Sequence, residues 1–237
     1  MRILGLDCSA RSASCAVVEE GVILAESFVN TKLTHSETLL PMIDGMLQAA
    51  KIDLGSVDLL AVTHGPGSFT GLRIGAAAIK GLCAGAGLPC VGVSTLEATA
   101  YNLAHGRGYV VPCMDARRNQ VYTATFLADG SGALKRVSED EAVAAEEALR
   151  FCSDEKMPIF LLGDGGRMCY TIHNGNVRVR LAPPYLLSTR GSAVAACAAA
   201  PENRRRAGDG AALALHYIRL SQAQRERQER QRLNGGM

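Results

Sequence analysis

The chain opens with three short apolar blocks separated by turn residues. Residues 2–8 (RILGLDC), 14–19 (SCAVVE) and 22–29 (VILAESFV) fit strand spacing, with the last turn at Glu20-Gly21. The apolar period then lengthens and predicts a helix over 36–51, with Thr34 and Glu37 at capping-box spacing ahead of it. DLLAVTHG is a fourth strand, 69–86 a second helix, and CVGVS a fifth strand. Ser94-Thr95-Leu96-Glu97 is a second capping box that opens a helix to about Ala104.

The same order returns in the second half. Strands are predicted at 109–115 (YVVPCMD), 120–127 (QVYTATFL) and 133–137, then a helix at about 142–152. A strand in PIFLLGDG, a helix over 166–173, a strand in VRVRLA and a helix over 188–200 complete it. Each half therefore reads β-β-β-α-β-α-β-α. Three clustered strands followed by alternation give a mixed sheet covered by helices, which a simple doubly wound fold does not predict. Two such halves describe an α/β protein of the actin-like ATPase (ASKHA, ribonuclease H-like) architecture. The expected units are residues 1–105, 106–205 and a segment 206–237 that packs back on the first half and ends in a basic tail.

Two helices carry more apolar surface than one sheet face needs. In 36–51, the polar or turn-forming residues Glu37, Pro41, Asp44, Gln48 and Lys51 share one stripe, leaving two apolar stripes. In 69–86, glycines and alanines recur four apart, although glycine costs a helix about 1 kcal/mol relative to alanine. This surplus marks Leu39, Met42 and Met46 on the first helix as candidates for an interface with another protein. Gly71, Leu72, Gly75, Ala76 and Ile79 are the candidates on the second.

Composition narrows the class. The 237 residues are 48% hydrophobic, lack tryptophan and carry a net charge of +2. From Glu202 to Arg232 there are eight arginines and four acids, a basic end that either touches RNA or is simply solvated. None of the eight cysteines forms a C-x-x-C pair, and most lie in apolar segments, as expected of reduced, buried thiols in the cytoplasm. MRILGLDCS is too short for a signal peptide, and no 18-residue apolar run suggests a membrane span.

Candidate chemistry is sparse. HGPGSFTGLRIG (64–75) looks like a phosphate loop, since a glycine turn opening a helix presents free N–H groups. It follows the fourth strand rather than sitting in a hairpin, so we read it as a strand-to-helix turn that grips another protein rather than a nucleotide. The first hairpin, LDCSARSAS, offers Asp7 and Ser9 but no glycine for close phosphate approach. The second, MDARRNQVY, offers Asp115 and Arg117, and GDGGR offers Gly163 and Gly165. These six are vestigial candidates for a nucleotide site. No two histidines lie four apart, so no helical zinc site is predicted, and Ser68 has no local base.

THGPGSFTGLRIG, GVSTLEATA, MDARRNQVYTATF, LLGDGG and the opening RILGLDCSARSASCAVV closely resemble the TsaB (YeaZ) family, over residue 2 to about 200. The resemblance implies a role in making N6-threonylcarbamoyladenosine (t6A) on the tRNA adenosine 3′ of the anticodon. It implies a non-catalytic paralogue that binds the TsaD transferase as a heterodimer, joins the TsaE ATPase in a ternary complex, and forms a homodimer alone. The chain itself would bind no cofactor, ATP being used by its partners, and would meet tRNA only indirectly. TsaD resembles a related fold with a metal held by H-x-x-x-H; the matching positions here are Thr95 and Thr99, and hydroxyls do not replace imidazoles on a transition metal. A metal-dependent glycopeptidase-like enzyme and a small-molecule kinase of the actin-like class remain the alternatives.

Overall fold

The structure is a computed structural model that describes residues 1–31 and 33–219; the expected basic end beyond Arg219 lies outside the described residues. Strands β1 (Arg2–Asp7), β2 (Ala13–Glu19) and β3 (Val22–Val29) lead into α1 (His35–Ala50), β4 (Leu59–Gly65), α2 (Phe69–Ala86), β5 (Cys90–Ser94) and α3 (Thr95–Ala100). The sheet order is β3-β2-β1-β4-β5. Its first three strands are antiparallel, and β4 and β5 run parallel to β1. Ser94 caps α3 by accepting from the Glu97 N–H at 3.2 Å, and Ser68 caps α2 through the Gly71 N–H at 3.3 Å. Thr34 stands at the start of α1, but its side chain accepts no helix N–H.

The second half contains β6 (Arg107–Asp115), β7 (Gln120–Thr123), β8 (Phe126–Asp129), β9 (Leu134–Arg136), β10 (Glu141–Ala144), β11 (Ile159–Leu162), α4 (Gly166–Ile172), β12 (Val179–Leu181), α5 (Gly191–Ala199) and α6 (Pro201–Arg204). The main path is β10-β7-β6-β11-β12, and β8 pairs with the other end of β6. Two elements differ from expectation. The predicted strand 120–127 is broken, because β7 and β8 pair with different stretches of β6. The predicted helix at 142–152 is instead strand β10 followed by a single 3-10 turn at Ala145–Glu147. Its alanines and glutamates favour a helix locally, but the free edge of β7 takes residues 141–144 as a partner. Val143, Ala145, Ala148 and Cys152 are then buried along the strand and turn.

Helices α1 and α2 cover one face of the first sheet, bringing Leu39, Ile43 and Ile79 against Leu4, Leu6 and Val62. The other face is covered by α5, a late element of the chain, through Val194, Ala195 and Ala198 against Ile3, Ala16 and Val93. A Cβ at Gly5 would stand 2.2 Å from the Gly191 carbonyl oxygen, so this crossing requires bare backbone. In the same way α3 of the first half covers the second sheet, with Leu96 and Ala100 against Val110, Phe126 and Leu162. Two mixed sheets, with α3 and α5 between them, form the actin-like arrangement. All eight cysteines are buried, and burial pushes the thiols of Cys15 and Cys152 up to about 12.

The residues expected to form an interface lie mostly inside this chain. Leu39, Leu72 and Ile79 are at most 1% exposed, and Met46, Gly71, Gly75 and Ala76 are buried; Met42 is half-buried. On α1 the two apolar stripes merge into one core-facing arc of Leu39, Ile43, Met46 and Leu47, which leaves Leu40 outside at 52% exposure. On α2 the glycines Gly71 and Gly75 face inward. A Cβ at Gly71 would lie 2.1 Å from the Cys8 carbonyl oxygen, and one at Gly75 2.7 Å from the Cys8 sulfur. Gly81 and Gly85, on the outer face with Ala77 and Ala84, have nothing within 4 Å. The GPGSFTGLRIG segment packs on this chain's own first hairpin.

The two kinds of glycine give opposite expectations. Gly71→Ala drives a methyl into backbone and should destabilise by about 3 kcal/mol. Gly81→Ala should be stabilising by about 1 kcal/mol, since it only raises helix propensity in open space. Urea unfolding of the two variants beside the parent measures both.

Candidate functional site

The strongest constellation lies where the ends of β1, β4, β6 and β11 meet the segments crossing between the halves. In the first hairpin, Asp7 is fully buried at the end of β1. Its Oδ1 accepts from the Thr63 hydroxyl at 2.6 Å and from the Ser9 N–H at 3.2 Å. Its Oδ2 and the Ser9 hydroxyl, both buried, have no partner among the described residues. Burial pushes the Asp7 carboxyl above its ordinary value, against the opposing pull of hydrogen bonds from Ser9 and Thr63. The Ser68 N–H donates to the Ser9 carbonyl at 2.6 Å, so the β4–α2 turn closes over this hairpin.

The second half repeats the device. The Arg117 N–H donates to Asp115 Oδ1 at 2.7 Å, as the Ser9 N–H does to Asp7. The Gly165 N–H donates to the Cys113 carbonyl at 2.9 Å, and a Cβ at Gly163 would stand 2.1 Å from that oxygen. Arg117, Arg118 and Asn119 all hold left-handed backbone, with φ of 66°, 57° and 56°. That conformation costs about 1 kcal/mol or more for each arginine. In each hairpin one backbone N–H is turned onto the aspartate two residues before it.

Of the six vestigial candidates, Asp7 and Ser9 are sealed under α2, and Gly163 and Gly165 are spent on packing. Asp115 and Arg117 remain open to solvent. A cavity of about 150 Å³ lies between the hairpins, with Ser12, Thr99, Met114, Asp164 and Thr189 in its wall. Asp164 lies inside the GDGGR motif, where the sequence reading takes only the glycines, and Thr189, expected at the start of a helix over 188–200, stands in the loop just before α5.

The Thr99 hydroxyl donates to the Thr95 carbonyl at 2.7 Å and accepts from the Thr189 hydroxyl at 2.7 Å; the buried Thr95 hydroxyl has no partner among the described residues. Among those residues no group of three or more His, Cys, Asp or Glu side chains is placed to hold a metal ion. His64, at the end of β4, is pushed down to about 4 by burial and by nearby His216, so it is neutral at physiological pH.

Comparison with known proteins gives this geometry its family. The model for TsaD, tRNA N6-adenosine threonylcarbamoyltransferase, matches residues 23–200. The tRNA threonylcarbamoyladenosine biosynthesis protein TsaB of Bacillus subtilis is 32% identical over 163 residues, 69% of this chain and 71% of its own. The chain belongs to the TsaB family. TsaB of Escherichia coli is 37% identical over 149 residues, with 62% of this chain and 64% of that protein covered. The structure of YeaZ from Pseudomonas aeruginosa superposes with a TM-score of 0.76 at 24% identity, covering 91% of this chain and 99% of that one, and shares the fold. The wider TsaD match fits a paralogue in which Thr95 and Thr99 occupy the positions that the resemblance assigns to metal ligands. Two hydroxyls, one of them already bonded within the fold, are a poor donor set for a transition metal.

Asp7 yields a test with a defined sign. Because its folded pKa lies above 3.8, its contribution to stability is full below pH 3.8 and is lost as pH rises through the folded value. At neutral pH the buried, half-partnered carboxylate is a net cost. Asp7→Asn should therefore be more stable at pH 7.5 by about 1 kcal/mol, with the difference shrinking toward pH 4. Denaturant midpoints at the two pH values measure it.

Proposed function

We propose that the chain is a non-catalytic subunit of t6A biosynthesis in the cytoplasm, one that docks on the TsaD transferase and works with the TsaE ATPase. Its place in t6A biosynthesis follows from its family. The observation that carries the non-catalytic part is the first hairpin, where Asp7 and Ser9 are buried and the Ser9 N–H is committed to Asp7, so that this turn offers no ready phosphate cradle. The cavity between the two hairpins, about 150 Å³, is also smaller than the roughly 300 Å³ at which ligand sites of nucleotide size begin. No cofactor of its own is therefore proposed, and ATP is used by the partners. Among the described residues no helix is long and apolar enough to cross a membrane.

The docking face we assign is the outer side of α1 and α2, which lie together on the same sheet face. Ala77, Gly81, Ala84 and Gly85 on α2 and Leu40, Gly45 and Ala49 on α1 are exposed. Small side chains let a partner helix approach closely, and TsaD, sharing the family model, offers a related pair of helices for such a contact. Without TsaD, a second copy of the chain takes its place.

The experiment is tRNA modification with purified TsaD, TsaE and the threonylcarbamoyl-AMP synthase, with and without this chain. Modification is expected only in its presence. An Ala77→Asp, Ala84→Asp double variant should weaken co-elution with TsaD about a hundredfold or more while circular dichroism stays unchanged. Assembly that survives the double variant places the interface elsewhere. Micromolar binding of ATP with magnesium by the isolated chain, or peptide hydrolysis above background, would favour the kinase or glycopeptidase reading.

A further inference from the structure

The small cavity between the two hairpins has a charge arrangement that the assembly role does not use. Arg11, from the first hairpin, and Asp164, from the β11–α4 turn, both reach its wall and are both exposed at its mouth. They form no ion pair with each other, and Arg11 makes no hydrogen bond to another described residue. Asp164 accepts one backbone bond, from the Asp115 N–H at 3.0 Å, and its second oxygen has no partner among the described residues. Deeper in, the hydrogen-bonded hydroxyls of Thr99 and Thr189 form a buried polar floor, and Met114 and Leu187 supply apolar wall.

From this wall we infer that the cavity is a binding site for a small α-amino acid, with the carboxylate toward Arg11 and the ammonium toward Asp164. Opposite charges that face one void without meeting are complementary to a zwitterion. A simple anion would be repelled by Asp164 and the neighbouring Asp115, and a simple cation by Arg11. Size sets the second limit. At about 15 Å³ of void for each water-sized group, the cavity holds about ten such groups, which suits glycine, serine or threonine and excludes tryptophan. The hydroxyl floor favours a side chain that can donate or accept a hydrogen bond over a purely aliphatic one. The inference is independent of the docking face, since α1 and α2 turn their outer sides away from this cleft.

The test is a titration of the full chain with glycine, L-serine, L-threonine and L-tryptophan, followed by ligand-observed NMR and calorimetry. Propionate and ethylamine serve as half-ligands. Saturable binding is expected for L-serine and L-threonine but not for L-tryptophan or either half-ligand. Arg11→Gln and Asp164→Asn should each weaken it about tenfold or more, with unchanged thermal midpoints. The inference is overturned if no small amino acid saturates, if propionate alone competes as well as the amino acid, or if Asp164→Asn leaves binding intact.

Discussion

Backbone laid directly on backbone at the strand ends organises this molecule. The β4–α2 turn rests on the carbonyls of Cys8 and Ser9 with no side chain between, and the β11–α4 turn rests on Cys113 in the same way. Such contacts are possible only where glycine supplies the surface. Each contact does two things at once. It sets the angle at which a helix leaves its sheet, and it presses a hairpin shut so that its N–H groups satisfy an aspartate of the same chain.

The two halves are tied together by polar contacts as well as by α3 and α5. Glu26 on β3 accepts from Arg190 at 2.7 Å and from the Ser192 N–H and hydroxyl at 3.1 and 2.8 Å, which places a carboxylate at the start of α5. Burial alone would raise its pKa, but these bonds outweigh it and hold the carboxyl below its ordinary value. On the other side, Arg136 of β9 bonds Asp140 at 2.6 Å and Glu97 of α3 at 2.9 Å, while Ser94 bonds the second oxygen of Asp140. The C-terminal segment is held to the first half as well: Gly208 pairs with Cys90, and the His216 N–H donates to the His64 carbonyl.

The order of the first half was legible because its strands keep an uninterrupted apolar register and its helices carry serine caps at Ser68 and Ser94. Residues 142–152 were not, since a local preference for helix lost to an open strand edge formed 20 residues earlier. The glycine pattern of α2 showed that something approaches closely, but a spacing of four cannot say whether that something is internal. Leu39 and Leu72, offered as interface residues, lie in this chain's own core: counting stripes measures how apolar a helix is, not how wide an arc a twisted sheet covers. In the cleft, Asp7 and Ser9 were visible as a hairpin motif. Arg11 gains meaning only when Asp164 and Thr189, far away in sequence, are brought beside it.

The position of α5 bears on how the chain comes to be folded. Ser14 and Gly191 are hydrogen-bonded across 177 residues, and α5 is the main cover of the sheet face bearing Ile3, Ala16 and Val18, with Ala98 of α3 beside it. At ribosomal rates this face waits on the order of ten seconds before its covering helix is made. Throughout that interval the nascent first half is a half-dressed sheet with a sticky side, and its safe passage is a matter for whatever shields emerging chains.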